Sequence, residues 1–152
     1  MDFEDFEESA EEELKRADHL IYVTLKYTRT TEVIKNTIKR LINAHDFAVL
    51  EALKYLKVKE ISDVPRRRII QLEELVPKLK HEIKFYLLLK EIDAAPFTRK
   101  EEYRKNVTLL TKPYNVNVEK LKEFFERTII FVKNITDTVK NKEKLGKPKK
   151  KK

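Results

Sequence analysis

The sequence is poor in the residues that build tight turns, disulfides and thiolate sites. Its 152 residues include one glycine, no cysteine and no tryptophan. A chain with one glycine forms few tight turns, which disfavours β-rich folds, and it cannot build a glycine-rich loop around a phosphate. Without cysteine, it has no disulfide, no thiolate metal site and no cysteine nucleophile. The composition therefore favours helices and argues against Walker and Rossmann nucleotide enzymes.

Long hydrophobic segments are also missing. The first fourteen residues carry eight acids and no base, the reverse of the start of a signal peptide. The longest apolar runs, FYLLL (85–89) and IIFV (129–132), are far shorter than the roughly 20 residues of a membrane span. We therefore expect a cytoplasmic protein of one domain, without a membrane partner.

The net charge of +8 is spread unevenly along the chain. Residues 1–14 contribute −8, residues 140–152 contribute +7, and the body between them supplies the remaining +9. A basic body predicts an anionic partner, such as RNA or another polyanion. Charge that serves only solubility is the alternative.

Apolar periodicity predicts an all-α fold. We expect a single bundle of about five helices over residues 1–143, followed by a disordered, lysine-rich tail over residues 144–152. The threonines of TRTT (28–31) are potential helix caps, so the first two helices should form an antiparallel pair. One continuous helix through these threonines remains open. Further helices are expected from Pro65, from residue 78 after a restart at Pro77, and over RKEEYRKNVTLL (99–110).

The final helix has the most regular apolar pattern in the sequence. Its apolar and threonine positions alternate three and four residues apart over three heptads: Val118, Leu121, Phe125, Thr128, Val132, Ile135 and Val139. This pattern predicts a helix in the core of the bundle, or alternatively the seam of a homodimer.

One short stretch, KRLINAHD (39–46), has the residue types of a metal-independent ribonuclease. A histidine can act as general acid or base on a ribose hydroxyl, and an arginine can hold the phosphate. The Arg40-x4-His45 spacing in a small helical protein resembles the HEPN superfamily. That resemblance implies a helical dimer in which Arg40 and His45 cleave RNA, or an RNA-binding member that does not cleave. The segment at 16–35 is also similar to small archaeal proteins of no known activity.

A second interpretation of His45 follows from helical geometry. Positions five apart on a helix are separated by about 140°, so Arg40 and His45 would not share a face. His45 falls in line with Ile38 and Leu41, which favours a core or interface histidine. The other histidines, His19 and His81, are not spaced as metal ligands, so we expect no metal and no cofactor.

Three basic clusters are candidate contacts for an anion or a nucleic acid. The clusters are Arg66, Arg67 and Arg68; Arg99, Lys100, Arg104 and Lys105; and Lys149, Lys150, Lys151 and Lys152. The first cluster would lie in the first turn of a helix that Asp63 could cap, and the arginines there could bind a phosphate. Salt bridges to neighbouring glutamates are the alternative for the first two clusters.

The sequence thus supports three functional hypotheses. The first is a non-catalytic helical module that binds RNA or a protein partner. The second is a HEPN-like ribonuclease that uses Arg40 and His45, such as the toxin of a toxin–antitoxin pair. The third is a structural subunit held to a partner through residues 118–139.

Overall fold

The computed structural model describes residues 9–146, with the side chains described up to Val139. The described chain contains five helices and a small antiparallel sheet. Helix α1 spans Ala10–His19 and continues without a break through a π-helical turn, Leu20–Thr24, and a last turn, Leu25–Tyr27. The mostly helical fold predicted from the sequence is confirmed.

The first two helices are separate and antiparallel, as predicted. The chain leaves the helix at Thr28 (φ −132°, ψ 86°), and α2 spans Thr31–Tyr55. Thr30 caps α2, because its hydroxyl accepts a hydrogen bond from the Val33 amide at 3.2 Å. A single continuous helix, the alternative left open by the sequence, is therefore wrong.

The predicted restart at Pro77 is confirmed. Helix α3 spans Pro65–Leu75, a 3₁₀ turn spans Pro77–Leu79, and α4 spans Lys80–Ala94. Proline disfavours helical geometry in the preceding residue, and Val76 is accordingly non-helical (φ −134°, ψ 80°).

A three-stranded sheet lies where the sequence pattern predicted a helix over residues 99–110, so that prediction was wrong. Strand β1 spans Phe97–Lys100, β2 spans Thr108–Thr111 and β3 spans Val116–Asn117. The strand order is β1-β2-β3, both pairs antiparallel, with Lys100 opposite Thr108 and Leu109 opposite Val116. The sheet is short, and in the sequence it follows α4 and precedes the last helix.

The composition of residues 99–106 explains this difference. The segment RKEEYRKN offers one large apolar residue, Tyr103, so a helix there would have no apolar stripe to bury. At the start of β2, Leu109 is buried and Thr108 half-buried, and Val107 just before the strand is buried, which is the two-residue period of a sheet. The chain reverses direction between β1 and β2 with two left-handed residues, Glu101 (φ 59°) and Tyr103 (φ 67°), instead of glycine.

The core lies around α2, which contacts each of the other four helices. The last helix, α5, spans Val118–Gly146, and Asn117 caps it by accepting a hydrogen bond from the Lys120 amide at 2.8 Å. Its apolar stripe is buried against the rest of the same chain; Leu121 and Thr128, for example, are fully buried. The stripe is thus a bundle-core face, as the first interpretation proposed.

The C-terminal tail falls mostly outside the described residues. Helix α5 extends through residues 144–146, which the sequence interpretation had assigned to the tail. Lys149, Lys150, Lys151 and Lys152 lie outside the described residues. Between residues 9 and 146, no helix combines the length and the hydropathy needed to cross a membrane.

Candidate nucleic-acid interface

Arg40 connects the first two helices. Its guanidinium Nη1 lies 3.2 Å from Oε1 of Glu13, a carboxylate that is 4% exposed. The same carboxylate accepts hydrogen bonds from Arg16 at 2.8 Å and from Asn43 at 3.4 Å. Three donors thus satisfy one buried acid, and Arg40 contributes to holding α1 against α2.

His45 lies in a cluster of aromatic rings and is fully buried, as the core interpretation predicted. Its ring stacks on Phe131, with the ring centres 4.3 Å apart, and tilts against Phe85 and Tyr86 at 5.6 and 5.7 Å. Nδ1 lies 2.8 Å from the Leu41 carbonyl oxygen, which can only accept, so we assign the ring proton to Nδ1. Nε2 is buried and has no hydrogen-bond partner among the described residues.

Burial sets the charge of this histidine. Desolvation lowers the pKa of His45 to about 4, against an upward effect of the Leu41 carbonyl and a further downward effect of nearby Arg127. The imidazole is therefore neutral at neutral pH. Arg40 faces Glu13 while His45 faces Phe131, so the described chain does not bring the two together at an accessible surface. Catalysis by this pair stays a prediction.

The three arginines at the start of α3 do not converge on one point. Arg68 is half-buried, and its Nε donates to the Ser62 carbonyl at 2.6 Å, while Arg66 and Arg67 are exposed. The N-cap residue of α3 is Val64, without a side-chain hydrogen bond, so the predicted Asp63 cap was wrong. The Ser62 hydroxyl instead accepts from the Val64 amide, which turns the chain into Pro65.

A polar pair lies beneath this helix start. The Tyr86 hydroxyl donates to Asp46 Oδ1 at 2.7 Å. Burial raises the pKa of Asp46, and the hydrogen bond from Tyr86 together with Lys90 and Arg68 opposes that rise. Arg68 is thus half-buried and hydrogen-bonded to Ser62, and Arg66 and Arg67 are the exposed members of the cluster.

The second basic cluster divides in a similar way. Arg99 makes ion pairs with Glu102 at 3.0 Å and with Glu32 at 3.5 Å, as the glutamate-pairing alternative anticipated. Lys100, Arg104 and Lys105 are exposed. All four predicted cations are thus exposed to solvent, and Arg99 is in addition paired with two glutamates of the same chain.

Glu102 holds the β1–β2 loop, residues 101–107, against the start of α2. Its carboxylate accepts the Thr31 amide at 3.1 Å and the Thr31 hydroxyl at 2.7 Å. The next residue, Tyr103, donates its amide to the Arg29 carbonyl at 2.6 Å. An acid at a helix N-terminus is favourable, so these contacts fix the loop beside the α1–α2 connection.

A groove lies where this loop meets the end of α1 and the start of α5. Its volume is about 280 Å³. We call it the basic groove; it is lined by Ile21, Tyr22, Leu25, Lys26, Arg29, Lys105, Asn106, Asn117, Val118, Glu119 and Lys122. Four cations from three separate segments therefore face one concave surface, against a single carboxylate.

Three tyrosines accompany these cations. Tyr22 lines the groove and packs edge-on against Phe125 at 6.2 Å, with the Lys122 ammonium 5.3 Å from its ring centre. Tyr27 and Tyr103 sit at the loop–helix junction beside the groove and are 84% and 76% exposed. Interleaved cations and exposed aromatic rings are typical of surfaces that bind nucleic acids.

The sequence had identified only part of this surface. Lys105 was predicted, but Lys26, Arg29 and Lys122 were not, because they lie far from it in the chain. The segment LKYTR (25–29) was a usable signal, since it combines two cations with a tyrosine just before a predicted turn.

The chain matches no protein-family model, no curated protein and no solved structure. Within residues 9–139, whose side chains are described, no three acidic or histidine side chains are grouped so that they could hold a metal ion. Function therefore has to be inferred from the geometry and charge of the protein itself.

Proposed function

We propose that this protein is a non-catalytic RNA-binding module that holds a phosphate backbone in the basic groove. One observation carries the proposal: Lys26, Arg29, Lys105 and Lys122 converge on one concave surface from three segments of the chain. Convergent cations neutralise successive phosphates and release their counterions, which drives nucleic-acid binding.

The state of these cations supports the proposal. Lys26, Arg29 and Lys105 are exposed and Lys122 is half-buried. Among the residues with described side chains, none of the four forms a salt bridge, whereas Arg99 and Arg40 both do. Cations without a carboxylate partner keep their full charge available to an external anion, and a phosphate need not displace an internal partner.

The lining of the groove also favours a bound chain over diffuse attraction. Asn106 and Asn117 add amide groups to the lining, and Ile21, Leu25 and Val118 provide an apolar floor. Amides can donate to phosphate or sugar oxygens, and apolar side chains exclude water from such contacts. A surface that served solubility alone would not need this arrangement.

The test compares two variants of equal net charge by the fluorescence anisotropy of a labelled 12-nucleotide RNA. The first variant, Lys26→Gln with Lys105→Gln, removes two groove cations. The control, Lys54→Gln with Lys133→Gln, removes two exposed lysines elsewhere. Lys133 lies on α5, about 16 Å along the helix from Lys122.

We expect the groove variant to bind RNA more weakly and to lower the slope of log affinity against log salt by about 1.4, or 0.7 per lost phosphate contact. The control should retain the affinity and slope of the wild type within about two-fold. Equal losses in both variants would mean that only net charge matters and would reject the groove. An acidic protein partner is the competing hypothesis, and a wild type that binds no RNA would favour it.

A further inference from the structure

The two exposed tyrosines beside the basic groove bear on whether the bound RNA is single-stranded or double-stranded. We infer that the groove takes single-stranded RNA and that Tyr27 and Tyr103 stack on unpaired bases; this inference rests on the proposed function. Among the described residues, Tyr27 and Tyr103 are 84% and 76% exposed, more than any other large hydrophobic side chain.

The backbone of Tyr103 is held in an unfavourable conformation. Its φ of 67° lies in the left-handed region, where a residue with a Cβ is strained. The hydrogen bond from its amide to the Arg29 carbonyl and the contacts of Glu102 with Thr31 stabilise this conformation. These contacts hold the Tyr103 backbone in place although its ring is mostly in solvent.

Tyr27 stands on the other side of the same junction. It ends the last helical turn of the first helix, two residues before the Arg29 carbonyl that binds the Tyr103 amide. The hydrogen bond therefore places the two tyrosines on adjoining segments. Both rings are carried by backbone that is already fixed, so little backbone conformational freedom is lost when a flat ligand stacks on them.

Cations are interleaved with these rings. Lys26 precedes Tyr27, and Lys105 follows Tyr103 by two residues, and both lysines line the groove. Stacking surfaces beside a cationic channel are how proteins bind single strands, because each base offers a π face once it is unpaired. In a duplex those faces are covered by neighbouring base pairs, which leaves phosphates, 2′-hydroxyls and base edges at the surface, so the tyrosines would have no base face to stack on.

The experiment uses three probes with the full-length protein: a 12-nucleotide single-stranded RNA, the same RNA in a duplex, and inorganic polyphosphate as a chain without bases. The tested variant is Tyr27→Ala with Tyr103→Asn, because asparagine tolerates a left-handed backbone. The matched control, Tyr27→Phe with Tyr103→Phe, keeps both rings. Thermal unfolding by circular dichroism checks that each variant remains folded.

We expect the Ala/Asn variant to bind single-stranded RNA about 5- to 150-fold more weakly for each stacked base lost, and the Phe control to bind within about two-fold of the wild type. Binding of polyphosphate should not change. The chain has six tyrosines and no tryptophan, so stacked bases should also quench tyrosine emission in the wild type, while polyphosphate should not.

Failure of the inference and failure of the proposed function give different results. If the wild type binds single strand and duplex equally and the Ala/Asn variant keeps both affinities, the stacking inference is overturned while the RNA-binding function stands. If the wild type binds neither RNA, both are overturned. If the Ala/Asn variant loses as much affinity for polyphosphate as for single-stranded RNA, the tyrosines do not act on bases and stacking is again rejected.

Discussion

The strongest quantitative prediction concerns the pH dependence of stability that arises from His45. Its pKa falls from 6.5 to about 4 in the folded protein, chiefly because the ring is fully buried. Between these two values the unfolded chain binds a proton that the folded chain does not bind. Stability is therefore unaffected by this group above pH 6.5 and falls as the pH is lowered from 6.5 to 4.

The size of the effect follows from the two pKa values. Each pH unit in this window removes up to about 1.4 kcal/mol, so the histidine should cost about 3 kcal/mol by pH 4. This is a large fraction of the 5–15 kcal/mol typical of a domain. The carboxyls of Asp46 and Glu51, whose pKa values burial raises, act in the opposite direction as the pH falls. They are present in the wild type and in a His45 variant, so their contribution should largely cancel in a comparison of the two.

The perturbation is His45→Leu, and the assay is urea unfolding followed by circular dichroism at pH 7, 5.5 and 4. Leucine loses the hydrogen bond to the Leu41 carbonyl but also removes the unpartnered Nε2. We expect a change of less than about 1.5 kcal/mol at pH 7. Relative to the wild type, the variant should then gain about 3 kcal/mol between pH 7 and pH 4.

A second histidine provides the control for this experiment. His81 is exposed at the start of α4, so His81→Gln removes a histidine without disturbing the buried aromatic cluster. Parallel pH profiles for the wild type and His45→Leu would refute the reasoning, because they would show that His45 has the same pKa in the folded and unfolded chains.

Three further predictions concern the loop, the tail and catalysis. Glu102→Ala should destabilise the protein by about 1–2 kcal/mol, because the Thr31 amide and hydroxyl lose their acceptor. Thermal unfolding measures this loss of stability. A loss no larger than that of the exposed control Glu126→Ala would contradict the prediction. Deletion of residues 147–152 should weaken RNA binding and lower its salt slope in an anisotropy titration. Unchanged affinity and slope would instead indicate that the tail does not contact the RNA. RNA incubated with the wild type or with His45→Ala, without metal, should stay intact on a denaturing gel. Cleavage by the wild type alone would support the ribonuclease alternative.

The candidate site shows where prediction from the sequence was effective and where it was not. The periodicity of α2 placed His45 in line with Ile38 and Leu41, and all three are buried in the fold. Arg40 could be separated from His45 by geometry alone, since the turn angle of a helix is fixed. The partner of Arg40, Glu13, could not be predicted, because it lies 27 residues away on another helix.

The basic clusters show a related difference. Proximity in sequence grouped Arg66, Arg67 and Arg68, but Arg68 turns toward the Ser62 carbonyl while Arg66 and Arg67 remain exposed. Neighbours on a helix point in different directions, so a run of like charges does not define a site.

The sequence by itself determined the helical class, the break at Pro77 and the buried stripe of α5, because these follow from local periodicity and from proline geometry. It left open whether the first two helices are separate, which the structure decided at Thr28. It did not determine the sheet or the loop that docks onto Thr31, since both depend on contacts between distant segments. Only the tertiary structure brought Lys26, Arg29, Lys105 and Lys122 to one groove. The physical reason is that helix patterns act over a few residues, whereas a binding surface is assembled by packing.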